Sequence, residues 1–135
     1  MLWKDQAAGS ADEAYGAMDE LLDRLVDNVG VDRGVAEKAV GIILAFLLRE
    51  GPSDRVQALI DQTPGADAAI AAADSEGGFG MGGILGVGSR LMAAGLGMEQ
   101  MRRGTEEIIA YAREKIGDDA TEDIIDSIPG LGQIV

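Results

Sequence analysis

The stretch from Gly77 to Met98, GGFGMGGILGVGSRLMAAGLGM, separates two segments of similar pattern. It holds nine of the chain's 20 glycines and a single charged residue, Arg90. This composition is too glycine-rich for an ordinary surface helix and too apolar for an ordinary flexible linker. We therefore interpret the stretch as the junction between two copies of one helical unit, the second of which begins inside it.

The two flanking segments match each other at a nearly constant spacing. An offset of 65 residues superimposes the following positions without a gap: Ile43 on Ile108, Leu44 on Ile109, Phe46 on Tyr111, Asp54 on Asp119, Leu59 on Ile124, and Pro64-Gly65 on Pro129-Gly130. Upstream of these positions, an offset of 67 places Gly30 on Gly97. Self-similarity at a fixed period is typical of duplicated structural units, so we predict an internal repeat.

The domain organisation follows from this repeat and from the length of the chain. At 135 residues the chain has the size of one domain and is long enough to bury a core. We predict a single helical domain over residues 1–135. Its predicted parts are a loose N-terminal arm at 1–10, repeat 1 at about 12–73, a glycine-rich junction at 74–83, and repeat 2 at about 84–135.

Apolar residues at helical spacing, together with few aromatic residues, predict the fold class. Residues 35–48 are apolar around nearly the whole helical circumference, which is typical of a central buried helix, and Gly30 before them is suited to a left-handed helix end. Glu99 to Ile116 takes the same place in the second copy. We predict an all-α fold of six to eight helices in two pseudo-repeated three-helix units joined by the glycine-rich segment, with Phe46 and Tyr111 at equivalent core positions.

Charge and residue usage exclude several classes of function. The formal net charge of −13 repels phosphate backbones, so we expect no nucleic-acid partner. The chain has neither Cys nor His, which removes the usual zinc, haem and iron–sulfur ligands and every catalytic pair that depends on them. We therefore expect no enzymatic activity, no catalytic residues, no metal site and no cofactor.

The hydropathy pattern bears on the location of the protein. The longest uncharged runs, 77–89 and 39–48, are shorter than the roughly 18 residues that a membrane-spanning helix requires. The first ten residues contain no apolar segment of the kind that a signal peptide carries. We expect no transmembrane segment and a cytoplasmic location.

An acidic cluster in the second copy has the composition of a site for a hard metal ion. Its spacing misses the DxDxDG pattern of calcium loops, and it lies at the predicted start of a helix, where carboxylates complement the helix dipole. We therefore interpret the cluster as structural. Its members are Asp118, Asp119, Glu122, Asp123 and Asp126.

Small and flexible residues around the junction suggest an interaction surface. A GxxxGxxxG row lets another helix approach closely, and methionines beside glycines form adaptable apolar grooves. The methionines of this region are Met81, Met92, Met98 and Met101. The chain also ends on apolar residues, which either pack on their own core or complete a neighbouring copy.

Two functional hypotheses follow from this surface. The first is a non-enzymatic interaction protein that forms a homo-oligomer. The second is a binding module that takes a small apolar ligand or a partner helix in a groove lined by methionine and glycine. The candidate interaction surface comprises Gly78, Met81, Gly82, Gly86, Met98, Leu131, Ile134 and Val135.

The order of these features resembles the VcgC/VcgE family of uncharacterised bacterial proteins. In that family a short helical unit with a Pro-Gly-Leu-like ending precedes a glycine-rich middle and a second helical unit. The resemblance covers about residues 18–135 and implies a helical bacterial protein, with no catalytic residue, substrate or cofactor attached. The matching pieces are Leu21 to Val31, Pro64-Gly65, Gly77 to Gly88, Leu96-Gly97-Met98, Ile108 to Tyr111, and Ile128-Pro129-Gly130-Leu131.

Overall fold

The structure, a computed structural model, describes residues 18–75, 83–128 and 130–134. These residues form seven helices and no strand, so the predicted all-α fold class is confirmed. Helix α1 covers residues 18–29 and ends in a π-helical turn, Leu25–Val29. The others are α2 (Arg33–Glu50), α3 (Ser53–Asp61), α4 (Ala66–Ser75), α5 (Gly83–Ala94), α6 (Met98–Ser127) and α7 (Leu131–Ile134).

Helix α2 is the centre of the fold. Every residue from Ala39 to Leu47 is buried, and α2 contacts α1, α3, α4, α5 and α6. The sequence predicts this burial, because the helix is apolar on all sides and would be unstable on a surface. The wide turn at the end of α1 leads into α2 through Gly30, whose φ of 82° lets its N–H reach both Leu25 O and Val26 O at 3.2 Å.

The second long helix, α6, consists of two helical segments that meet at a kink. The sequence predicts a helix end at Ile116 and a new helix start at the acidic cluster from Asp118, and the helix is interrupted between these two residues. Gly117 lies between the two segments with φ of 89° and ψ of 165°, a conformation that favours glycine. We refer to residues 98–116 and 118–127 as the first and second segments of α6.

The boundaries of the helices recur at a spacing of 65 residues. The first residue of α2 is 65 before that of α6, and the same spacing separates the starts of α3 and the second segment of α6, and of α4 and α7. Gly30 and Gly95 both end a helix with positive φ, whereas Gly97 is an extended N-cap residue. The offset of 67, which pairs Gly30 with Gly97, is therefore wrong, because these two glycines adopt different backbone conformations. Common descent of the two halves stays a prediction.

The two halves, α1–α4 and α5–α7, cross over each other. The π-helical turn of α1, Leu25–Val29, contacts α6 more extensively than it contacts α2, and α5 contacts α2 more extensively than it contacts α6. Helix α3 packs against α6, and its Arg55 Nε lies 3.1 Å from Asp123 in the second segment. Arg24 of α1 bonds Glu114 of α6 at 2.6 Å. Exposed pairs of this kind contribute only about 0–1 kcal/mol, so the shared apolar core holds the halves together.

A buried hydrogen bond joins the end of α3 to α6. The Thr63 hydroxyl donates to the Leu59 carbonyl at 3.0 Å, so the Tyr111 hydroxyl, 2.7 Å away, donates to Thr63. Thr63 and Tyr111 are each 1% exposed. Both hydroxyl groups are thus satisfied inside the core, and burial raises the pKa of the Tyr111 phenol.

The closest helix approach is testable at Gly41. A β-carbon at Gly41 would overlap the backbone carbonyl of Ala69 in α4, so Gly41→Ala should force α2 and α4 apart and cost about 1–3 kcal/mol of unfolding free energy. Gly34→Ala is the matched control, because that position in the same helix is open and alanine should stabilise it by at most about 1 kcal/mol. Urea unfolding measures both, and equal effects would contradict the close contact.

The buried phenol makes stability fall at alkaline pH. Because the folded-state pKa of Tyr111 is above its unfolded value of about 10, the phenol leaves stability unchanged below that pH and lowers it as pH rises towards the folded-state pKa. Tyr111→Phe should cost about 1 kcal/mol at neutral pH through the lost hydrogen bond. It should also lose less stability than the native chain between pH 8 and pH 10.5 on the same physical ground. If the urea midpoints of the two proteins decreased by the same amount across that pH range, this assignment would be refuted.

Candidate functional site

An apolar groove lies between α2, α5, α6 and α7. Its volume is about 490 Å³. We call it the methionine groove, because three methionines line it. Its lining residues are Ile43, Phe46, Leu47, Val87, Gly88, Ser89, Leu91, Met92, Met98, Met101, Arg102, Thr105, Ile109, Leu131 and Gln133.

The floor of the methionine groove belongs to the hydrophobic core. Phe46 and Leu47 of α2 are 3% and 1% exposed, and Leu91 of α5 and Leu131 of α7 are 2% exposed. These side chains reach the floor because α5 crosses α2, the contact that joins the two halves. The floor is therefore preformed, as in most ligand sites.

The rim of the groove exposes two large apolar side chains. Met92 of α5 is 60% exposed and Met98, at the first position of α6, is 79% exposed. They are the large hydrophobic residues that stand out as exposed in the described part of the chain. Unbranched thioether side chains adapt to differently shaped partners, so the rim can contact a ligand closely along its sides.

Glycine keeps the groove open on the α5 side. A β-carbon at Gly88 would meet no atom within 4 Å, so an empty space lies beside this helix position. Gly86, one of the predicted surface residues, is buried instead. The two glycines of α5 thus differ in their surroundings. Gly86 is enclosed within the packed structure, and Gly88 leaves room in the groove.

Two polar side chains of the groove, Thr105 and Arg102, have partners within the protein. The Thr105 hydroxyl donates to the Met101 carbonyl at 2.9 Å. Arg102, the charged residue among the lining side chains, lies 2.9 Å from Glu99 and 3.8 Å from Glu106. The hydrogen bond from Arg102 lowers the pKa of Glu99. The groove therefore presents an apolar surface beside two exposed carboxylates.

The structure places the predicted interaction residues in different environments. Met98 lies on the rim, and Leu131 lies in the floor rather than on the surface. Leu131 thus packs on the core of its own chain. Ile134 belongs to α7. The remaining predicted positions, Gly78, Met81, Gly82 and Val135, lie outside the described residues.

Sequence reasoning missed the contribution of α2. Ile43, Phe46 and Leu47 all line the groove, although the sequence assigns them to the core. Both assignments hold, because these side chains are buried on most sides and border the groove on one. No local signal in the sequence shows that α5 crosses this part of α2.

A second cavity of about 590 Å³ lies between α1, α2 and α4. Its α4 side consists of alanines, among them Ala68, Ala69 and Ala72, and we call it the alanine groove. Arg33 borders it and forms ion pairs with Asp19 and Asp23 of α1. Small side chains and paired charges give this surface few groups that would hold a ligand.

Titratable groups form no second candidate site in the described ranges. The buried polar or charged side chains there are Thr63, Thr105 and Thr121, so no buried carboxylate is found among them. The acidic cluster of α6 forms ion pairs: Asp118 and Glu122 lie 3.5 and 2.5 Å from Arg113. Within those same residues no group of three or more potential ligands is placed to hold a metal ion.

None of the described helices combines sufficient length with sufficient apolar character to span a bilayer.

Comparison of the chain with protein-family models, with curated proteins and with solved structures gives no match. The resemblance to the VcgC/VcgE family therefore stays a prediction.

The floor and the rim of the groove should respond differently to truncation. Phe46→Ala removes a buried ring and should cost about 3–5 kcal/mol of unfolding free energy. Met98→Ala changes an exposed side chain and should alter it by no more than about 0.5 kcal/mol. Guanidinium unfolding at neutral pH measures both. A large loss for Met98→Ala would show that the rim is part of the core and not an available surface.

Proposed function

We propose that this protein is a non-enzymatic binding module that takes an apolar ligand in the methionine groove. The observation that carries the proposal is the exposure of Met92 and Met98 beside a preformed apolar floor. Exposed apolar surface next to water is unfavourable by roughly 25 cal/mol per Å², so its concentration at one groove indicates a surface that is covered by a ligand.

The dimensions of the groove support this function. Its volume of about 490 Å³ falls within the range of about 300–1,000 Å³ that is typical of ligand sites. The lining is apolar with a few polar groups, namely Arg102, Ser89, Thr105 and Gln133. Apolar contact would supply the affinity, and the polar groups would restrict orientation.

Self-association is the second candidate function, and the same rim favours it. A homodimer could cover Met92 and Met98 of each copy with the same residues of the other, because twofold interfaces are self-complementary. A homodimer agrees with the sequence-based expectation of a cytoplasmic interaction protein that needs no cofactor. Its formation depends on protein concentration, which distinguishes it from ligand binding.

A dye and one filling substitution test ligand binding. Anilinonaphthalene sulfonate fluoresces on apolar surfaces, and its fluorescence should rise with the native chain. Gly88→Leu places a side chain in the open space of the groove and should lower dye affinity at least about tenfold, or about 1.4 kcal/mol. Gly34→Leu adds the same side chain at an open position outside the methionine groove and should leave the dye signal unchanged.

The outcomes separate the two candidate functions. Absence of dye binding by the native chain, or equal binding by the Gly88→Leu variant, would reject the groove as a ligand site. Sedimentation velocity across a hundredfold range of concentration tests the dimer. A species whose mass rises with concentration, and which Met98→Asp returns to a monomer, would show that a second copy covers the rim.

A further inference from the structure

All of the sulfur in this protein is thioether sulfur. The chain has six methionines and no cysteine, so no thiol competes with the methionines for an oxidant. Whether a methionine reacts then depends on whether the oxidant can reach its sulfur atom. The described residues contain four of the six, Met18, Met92, Met98 and Met101.

Burial divides these four methionines into two pairs. Met18 and Met101 are partly buried and pack against the hydrophobic core. Met92 and Met98 are 60% and 79% exposed. Both exposed methionines line the methionine groove, Met92 from α5 and Met98 from the start of α6. Among the described methionines, the two that an oxidant reaches most easily therefore border the site proposed for the ligand.

We propose that Met92 and Met98 are oxidised reversibly by a peroxide, and that this modification releases the apolar ligand from the methionine groove. The inference rests on the proposed ligand-binding function and specifies its regulation. The groove binds its ligand while both side chains are thioethers, and it loses affinity once they are sulfoxides.

The modification transfers one oxygen atom to each sulfur. A sulfur lone pair attacks one oxygen of hydrogen peroxide, the O–O bond breaks, and a sulfur–oxygen bond forms. The proton of the transferred oxygen moves to the leaving oxygen, so sulfur is oxidised to the sulfoxide and the peroxide is reduced to water. A reductase with two thiols reverses the step, because the thiols form a disulfide and the oxygen leaves as water.

A sulfoxide on the rim opposes an apolar ligand because it adds a hydrogen-bond acceptor. A thioether loses little when an apolar ligand displaces the water around it. A sulfoxide oxygen loses its hydrogen bonds to water and finds no donor on an apolar ligand, which is unfavourable. Oxidation therefore weakens the contacts that the rim makes from both α5 and α6.

The exposure of the rim also protects the fold from this modification. The Met92 and Met98 side chains already face water, so their sulfoxides stay hydrated when the groove is empty and should leave the unfolding midpoint nearly unchanged. Met101 differs, because a sulfoxide there would be packed against the core. Oxidation of the rim alone therefore changes binding without unfolding the protein.

The modification leaves the charge of the protein unchanged. A sulfoxide is neutral, so the net charge stays at −13, and the ion pairs of Arg102 with Glu99 and Glu106 beside the groove gain no new charged neighbour. A change in the affinity for an anionic dye then reports the polarity of the rim and not its electrostatics.

The test uses the full chain, hydrogen peroxide and anilinonaphthalene sulfonate. The protein is oxidised for increasing times, catalase stops the reaction, and mass spectrometry of proteolytic peptides gives the extent of oxidation at each methionine. We expect Met92 and Met98 to be oxidised before Met18 and Met101. Over the same period the dye affinity should fall at least about tenfold, with an unchanged circular dichroism spectrum. A thiol-dependent methionine sulfoxide reductase should restore the affinity.

Three variants separate the rim from the rest of the chain. Met92→Leu combined with Met98→Leu keeps the rim apolar and removes its sulfur, so the dye affinity after peroxide should equal that variant's own affinity before peroxide. Met18→Leu is the matched control, because Met18 lines the alanine groove, and it should lose dye affinity to the same extent as the native chain. Met92→Gln combined with Met98→Gln makes the rim polar without an oxidant and should bind the dye about as weakly as the oxidised native chain.

Each contrary result has a distinct meaning. Oxidation of Met18 and Met101 as fast as the rim pair would overturn the inference, as would an equal loss of affinity in the leucine double variant and the native chain. Unchanged dye affinity after both rim methionines have become sulfoxides would reject the regulation and leave the proposed ligand binding intact. Failure of the untreated native chain to bind the dye at all would reject the proposed function itself.

Discussion

The burial of the middle of α2, residues 39–47, is the constraint on which the rest of the fold depends. A helical segment that is apolar around its whole circumference has no face for water, so other elements must surround it. This protein meets the requirement with helices from both halves, α4 on one side and α5 on another. The absent side chain of Gly41 lets α4 approach within backbone contact, and α5 closes a different side of the same helix.

The long helix of the second half has a different environment, and this difference produces the site. The first segment of α6 carries more polar residues than α2. The middle of α2 is enclosed by other helices, whereas the methionine groove lies beside the first segment of α6.

The sequence predicts the fold better than the site, and the reason is physical. Helical periodicity and the glycine and proline positions are local properties, which is why the all-α class, the central helix α2 and the turn at Gly30 are all predictable. The interruption of α6 agrees with the predicted helix end at Ile116 and with the carboxylates that mark a new helix start after it. The floor of the methionine groove depends on the crossing of α5 and α2, a contact between residues more than 40 positions apart that no local pattern encodes.

The crossover of the halves also determines how the protein opens. Since the π-helical turn of α1 packs on α6 and α5 packs on α2, each half completes the core of the other, and exposing one half to solvent removes part of that core. Amide protons in α2 and the first segment of α6 should therefore exchange with solvent at one common rate, set by global unfolding. The same coupling means that a ligand held between α5 and α6 also slows exchange in α2, a helix of the opposite half whose Phe46 forms part of the floor beneath that ligand.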